Sequence, residues 1–173
     1  AAWVRMLIYI SIPWAISIHT VTAFLYCGLP GRHFWLSAII APRFLASAFA
    51  AGPALIIIVL VIIQTTTTFR VEDQVFNKIR RISVVAAIIN LIMLFSEVFK
   101  EFYLPTHHSQ PAIYLYFGLD GHTALVPWIW TAIVLNIVAM ILLLLPLSRG
   151  LKWLNVACVL CIFGIWIEKG MGL

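Results

Sequence analysis

Residues 12–55 read IPWAISIHTVTAFLYCGLPGRHFWLSAIIAPRFLASAFAAGPAL, two long apolar segments joined by a short polar hairpin. About 20 apolar residues are needed to carry a helix across roughly 30 Å of hydrocarbon. In lipid every backbone polar group must be satisfied internally, which an unbroken apolar run of this length achieves as a helix. The stretch therefore predicts a transmembrane helical hairpin. His19 and Arg43 stand within it where hydrocarbon is expected, and ionisable residues at such depth are costly.

Composition extends the same conclusion to all 173 residues. Mean hydropathy is +1.08, 64% of residues are hydrophobic and only 10% are charged. A soluble domain would carry about a quarter charged residues to cover its surface. The formal charge of +5 gives no nucleic-acid patch, because the Lys and Arg are few and lie between apolar runs. Cys27, Cys158 and Cys161 sit in or beside apolar segments, so a disulfide or zinc scaffold is not expected. The Cys158–Cys161 spacing reads as small packing residues. Neither haem nor metal is expected in this chain: His19 is the one histidine within a span, and the adjacent His107 and His108 lack further ligands.

Five spans can be read: 4–27, 44–66, 78–103, 122–146 and 151–168. A shorter piece, 34–41, leads the second, and Pro42 is expected to separate the two. The fold class expected is all-α, a polytopic transmembrane bundle of about five spans forming a single domain over residues 1–173. The opening on Ala1 and the end directly after a charged turn suggest an internal portion of a longer protein. Arg70, Lys78, Arg80 and Arg81 crowd the second connection, Arg149 and Lys152 the fourth, and Arg5 precedes the first span. The first connection has only Arg32, and the third has no Lys or Arg between Glu101 and His122. The positive-inside rule puts the second and fourth connections in the cytoplasm. The third connection, 104–121, carries His107, His108, Tyr114, Tyr116 and Asp120 and reads as a docking surface on the outer face.

With 1.5 Å of rise per residue, His19 falls roughly 6 Å beyond the midplane toward the outer face, Glu97 about 9 Å and Glu101 about 15 Å. Arg43 enters its span from that same side. Ionisable groups from three helices thus share the outer half of the bilayer, and His19, Arg43, Glu97 and Glu101 are the candidate site residues. Each has a plainer alternative. His19 sits among Ser17, Thr20 and Thr22 as an interhelical hydrogen-bonder would, Arg43 can snorkel to headgroups, and Glu97 can pair with Lys100 on its own helix face. Asn90 and Asn136 read as interhelical hydrogen-bond partners. A stripe of Ala46, Ala50 and Ala54 allows close helix approach.

The pattern Ser17-Ile-His-Thr, Gly28-Leu-Pro-Gly-Arg32 with Trp35, and Ala41-Pro-Arg-Phe-Leu-Ala-Ser-Ala with Gly52 resembles the NrfD-like, polysulfide-reductase membrane-subunit family. The stretches Gly118-Leu-Asp-Gly-His122, Pro127-Trp-Ile-Trp-Thr131 and Ile165-Trp-Ile-Glu-Lys-Gly-Met-Gly172 look more like one branch. That branch is the membrane subunit P of the sulfite-reductase-linked Dsr electron-transfer complex, with its Hmc/Hme-type relatives. The resemblance implies a multi-pass subunit in a prokaryotic cytoplasmic (inner) membrane that exchanges electrons between menaquinone and an outer-face iron–sulfur subunit. It also implies a multihaem cytochrome c, a b-haem membrane subunit and a cytoplasmic iron–sulfur subunit as partners. The family's quinone-site histidine maps to His19 and its helix-borne acid to Glu97; Arg43 as a pocket residue follows from depth.

In the mechanism expected, His19 holds a quinone oxygen and accepts its proton, Glu97 passes that proton outward through Glu101, and Arg43 stabilises negative charge on the ring. The rival expectations are a proton- or ion-translocating subunit, built around a helix broken at Gly52-Pro53, and a purely structural anchor for redox partners.

Overall fold

The computed structural model describes residues 2–29, 35–103 and 109–172. Among these, six α-helices follow one another: α1 (Ala2–Cys27), α2 (Ile40–Thr66), α3 (Asp73–Tyr103), α4 (Gln110–Tyr116), α5 (Val126–Leu144) and α6 (Leu151–Gly172). All but α4 are long and apolar enough to cross a membrane. Their lengths follow from the apolar runs, and their ends follow from local chemistry.

α2 is continuous from Ile40, so Pro42 does not divide it. A proline in the first helical turn removes an N–H that has no intrahelical partner anyway, so the chain tolerates it there. The helix also runs unbroken through Gly52-Pro53. α3 begins at Asp73, where a carboxylate favours a helix N-terminus, so Lys78, Arg80 and Arg81 lie on the helix and not in the preceding loop. α5 starts at Val126, later than the apolar run alone suggests. Gly118, Asp120 and Gly121 all have positive φ, and Leu119 and His122 exchange backbone hydrogen bonds of 3.2 and 2.9 Å across the turn. A side chain at Gly118 would stand 2.8 Å from the His122 carbonyl oxygen. The Gly118-Leu-Asp-Gly-His122 stretch is thus a turn whose glycines are sterically required. Leu145 is extended, as residues before a proline tend to be, and this ends α5 ahead of Pro146.

α2, α3, α5 and α6 form the core, and α1 packs mainly on α2. Three apolar clusters are stacked through the bundle. Ala54, Ile57, Phe76, Leu143 and Cys158 pack at one end, and Ala50, Ala87, Ala139, Cys161 and Ile165 in the middle. Leu94, Leu115, Tyr116 and Ile129 pack at the other end, where α4 covers the bundle. The middle layer is built of small residues, which lets the helices approach closely where the hydrophobic effect supplies little association energy.

Candidate functional site

Arg43 is set by that close packing. Ala46, Ser47, Ala50 and Ala54 are buried on one face of α2, and Arg43 continues the same face outward by one turn. Arg43 is 4% exposed, its guanidinium turned into the bundle and not out to the headgroups. There Nη1 pairs with Oε2 of Glu97 from α3, and Nη2 donates to Oε1 of Glu168 from α6 at 2.9 Å. The other Glu168 oxygen, Oε2, accepts from Nδ2 of Asn136 on α5 at 2.9 Å. Lys169 Nζ lies 3.0 Å from Glu168 Oε1 and 5.2 Å from the centroid of the Phe44 ring.

The result is a charge-neutral knot of two cations and two carboxylates that ties four core helices together. Unpaired, each charge would be prohibitively expensive at this depth; paired and hydrogen-bonded, the set is tolerated. Arg43 Nε has no hydrogen-bond partner among the described residues. Gly164 makes the α5–α6 link possible, because a Cβ there would stand 2.7 Å from Asn136 Oδ1 and 3.1 Å from the Asn136 backbone nitrogen.

α4 closes this end. Tyr116 is turned inward and buried, its backbone carbonyl accepting from Trp130 Nε1 at 3.0 Å. Burial pushes its hydroxyl up to about 12, with Arg43 opposing the shift and Glu168 adding to it. Tyr116 is therefore part of the cover over the charged knot, not of a surface facing outward. Asp120 remains in the exposed turn, and His107 and His108 lie outside the described residues, as does Arg32.

His19 is placed elsewhere. It lines a cleft of about 530 Å³ between α1 and α2 whose walls include Ala15, Leu45, Phe49, Gly52 and Pro53. On α2 these residues occupy the face opposite Arg43, Ser47 and Ala50, since 45, 49 and 52 are offset from 43, 47 and 50 by about half a turn. α2 is thus a wall with the cleft on one side and the knot on the other. His19 Nδ1 lies 2.9 Å from the Ala15 carbonyl oxygen. A carbonyl only accepts, so Nδ1 is the donor in this contact, and a neutral ring making it would have Nε2 as its acceptor. Glu101 joins neither group. It pairs with Lys100 at 3.3 Å near the end of α3, a contact of small energetic value because the lysine is exposed to solvent.

Of the sequence candidates, the structure brings Arg43 and Glu97 together and leaves His19 and Glu101 apart from them. Sequence reasoning passed over Glu168 and Lys169. The fifth apolar run fades at Glu168, which therefore looked like a span end; α6 instead continues to Gly172 and carries the carboxylate inside the bundle. An acid within a turn of an apolar helix end, at the same level as an arginine on another helix, was the available signal.

Five helices long and apolar enough to span, four of them tied by a buried charge knot, define a multi-pass integral membrane protein. The chain matches the family described as "Polysulphide reductase, NrfD" over residues 1–170, and it belongs to that family. It is also 26% identical over 159 residues to a putative dimethyl sulfoxide reductase membrane subunit of Halobacterium salinarum, a match covering 91% of this chain and 36% of that protein. The chain thus spans about a third of the length of that relative.

Proposed function

We propose that the chain is the quinone-interacting part of a membrane subunit in a respiratory reductase complex. It would exchange electrons between menaquinone or menaquinol and an iron–sulfur subunit docked at the outer face, where the charge knot and α4 lie. The similarity to a dimethyl sulfoxide reductase membrane subunit supports the reductase setting. A sulfite-linked complex is the specific version that the sequence pattern favours, with a multihaem cytochrome c, a b-haem subunit and a cytoplasmic iron–sulfur subunit as its other members.

One observation carries this proposal: an imidazole whose Nδ1 is held by a carbonyl of its own helix lines an apolar cleft large enough for a ring. Ligand clefts of about 300–1,000 Å³ with few polar groups are the usual shape of small-molecule sites, and this one measures about 530 Å³. When bound there, a quinol would supply two electrons to the iron–sulfur subunit and two protons, one taken up by His19 and the other released to water at the outer face. His19 Nε2 accepts the hydrogen bond from one ring hydroxyl and then its proton. The Ala15 carbonyl holds Nδ1–H throughout, which keeps the ring oriented and favours the imidazolium once it forms. Phe49 and Pro53 exclude water from the reacting edge. Arg43 and Glu97 act from behind the wall, holding α2 and therefore that side of the cleft in register. They are positioning residues in this scheme.

His19→Ala tests it in the intact complex. Quinol-dependent reduction of the iron–sulfur partner is expected to fall by about 10²–10⁴-fold, the usual contribution of a general base, while assembly persists. Turnover at the wild-type rate would overturn the assignment.

A further inference from the structure

The end of the bundle opposite the charge knot has its own unexplained charges. Gln74, Asn77, Lys78, Arg80 and Arg81 on the first turns of α3 line a pocket of about 420 Å³. Three cations and two amides surround it, and no carboxylate of the described residues does. Arg80 is committed elsewhere: Nη1 donates to the Leu143 carbonyl at 2.6 Å and to Ser148 Oγ at 2.9 Å, fixing α3 to the end of α5. Lys78 and Arg81 form no ion pair among the described residues. Glu72 and Asp73 precede them on the chain and do not line the pocket.

Arg81 also closes one end of a second, separate feature. A groove of about 640 Å³ between α2 and α3 is lined by Arg81 and otherwise by apolar residues, among them Ile82, Val85, Ile89, Leu45 and Phe49. It lies along two membrane-spanning helices, in the hydrocarbon. A cationic pocket alone would suit any anion, and an apolar groove alone would suit any hydrocarbon. Joined through one arginine, they match a molecule that is anionic at one end and hydrocarbon at the other. An acidic protein surface would use the charges and leave the groove empty.

We propose that pocket and groove form one site for an anionic phospholipid, its headgroup phosphate between Lys78 and Arg81 and an acyl chain along the α2–α3 groove. The charge pattern places this end on the cytoplasmic side, the leaflet face where basic pockets between spanning helices meet anionic headgroups. The lipid would cover the outer surface of the α2–α3 pair and hold it from the side away from α6.

The test is native mass spectrometry of the purified full-length protein, exchanged into detergent with phosphatidylglycerol or phosphatidylcholine. Phosphatidylglycerol is expected to be retained in preference. Lys78→Gln and Arg81→Gln are each expected to weaken its retention about five-fold, the usual effect of a basic residue close to an anionic surface. Val85→Trp, which fills the groove from an exposed position without touching the charges, is expected to weaken it as well; Lys152→Gln, on α6, is expected to leave it unchanged. Arg81→Lys, which keeps the charge, should restore most of the loss and so separates binding from misfolding. Equal retention of the two lipids, or wild-type retention by the double Lys78→Gln/Arg81→Gln variant, would overturn the proposal. Displacement of the lipid by inorganic phosphate at equal concentration would overturn it in favour of a free-anion site. Retention unaffected by Val85→Trp would overturn the acyl-chain half by showing that the bound lipid does not use the groove.

Discussion

α1 and α6 are both apolar helices dotted with polar residues, yet they use those residues in opposite ways. On α1 the hydroxyls of Ser11, Ser17, Thr20 and Thr22, and Nδ1 of His19, each bond a carbonyl three or four residues back on the same helix. On α6, Glu168 bonds Arg43 of α2 and Asn136 of α5. Burial follows the same division: of the described side chains on α1 only Ala23 is buried, whereas Leu154, Ala157, Cys158, Cys161 and Ile165 of α6 all are. A polar group satisfied by its own helix costs little in lipid and holds nothing together. One satisfied by a distant helix fixes the bundle. His19 belongs to the first kind through Nδ1, but its second nitrogen bonds nothing among the described residues, and that sets it apart from the hydroxyls around it.

The sharpest way to break this contrast is Arg43→Leu. It leaves Glu97 and Glu168 facing each other at the core of the bundle with only Lys169 to offset them. Removing one partner of a buried ion set costs about 3–5 kcal/mol, more than replacing the whole set with apolar residues. The expected outcome is a large drop in the thermal midpoint in detergent, or no monodisperse protein at all. Arg43→Leu with Glu97→Leu should recover part of that loss, because the two positions are in contact and their effects are not additive. A thermal midpoint unchanged by Arg43→Leu would mean that the knot does not tie the helices.

The same contrast explains what was legible in the sequence. Span number and helical class can be read from apolar runs of about 20 residues, because each run satisfies its own backbone whatever surrounds it. Arg43 and Glu97 were visible for a related reason: charge inside such a run is conspicuous wherever its partner lies. Glu168 was not, because its partner stands 125 residues away and only that pairing makes a buried carboxylate tolerable at the point where the apolar run fades. Tyr116 was misplaced for a similar reason. A tyrosine in a loop reads as exposed until α4 is seen to turn it inward over the charged knot. The face of α2 was also hidden, since depth along an axis says nothing about direction around it. His19 and Arg43 stand at similar depth on opposite sides of one helix.

A smaller effect sharpens the α6 side. Gly164→Ala adds a Cβ 2.7 Å from the Asn136 side-chain oxygen and 3.1 Å from the Asn136 backbone nitrogen. The side chain can swing away, but the backbone cannot, so the helices must separate by a few tenths of an ångström and Asn136 must release Glu168. Overpacking of this kind costs about 1–3 kcal/mol. Thermal unfolding of the variant should show a fall smaller than that of Arg43→Leu. An unchanged midpoint would mean that the α5–α6 contact has slack and that Asn136 is not held against Glu168 by packing.

The smallest expected effect belongs to α1. Thr22→Val removes a hydroxyl whose bond, 2.8 Å to the Ile18 carbonyl, duplicates the acceptor already used by the helix backbone. The replacement has nearly the same shape and removes a polar group from a lipid-facing helix, so stability should change by less than about 0.5 kcal/mol in either direction. A loss approaching that of Gly164→Ala would show that Thr22 bonds something beyond its own helix. α1 would then be a docked element like α6, and His19, one turn away on the same helix, would lose its claim to a free nitrogen facing an open cleft.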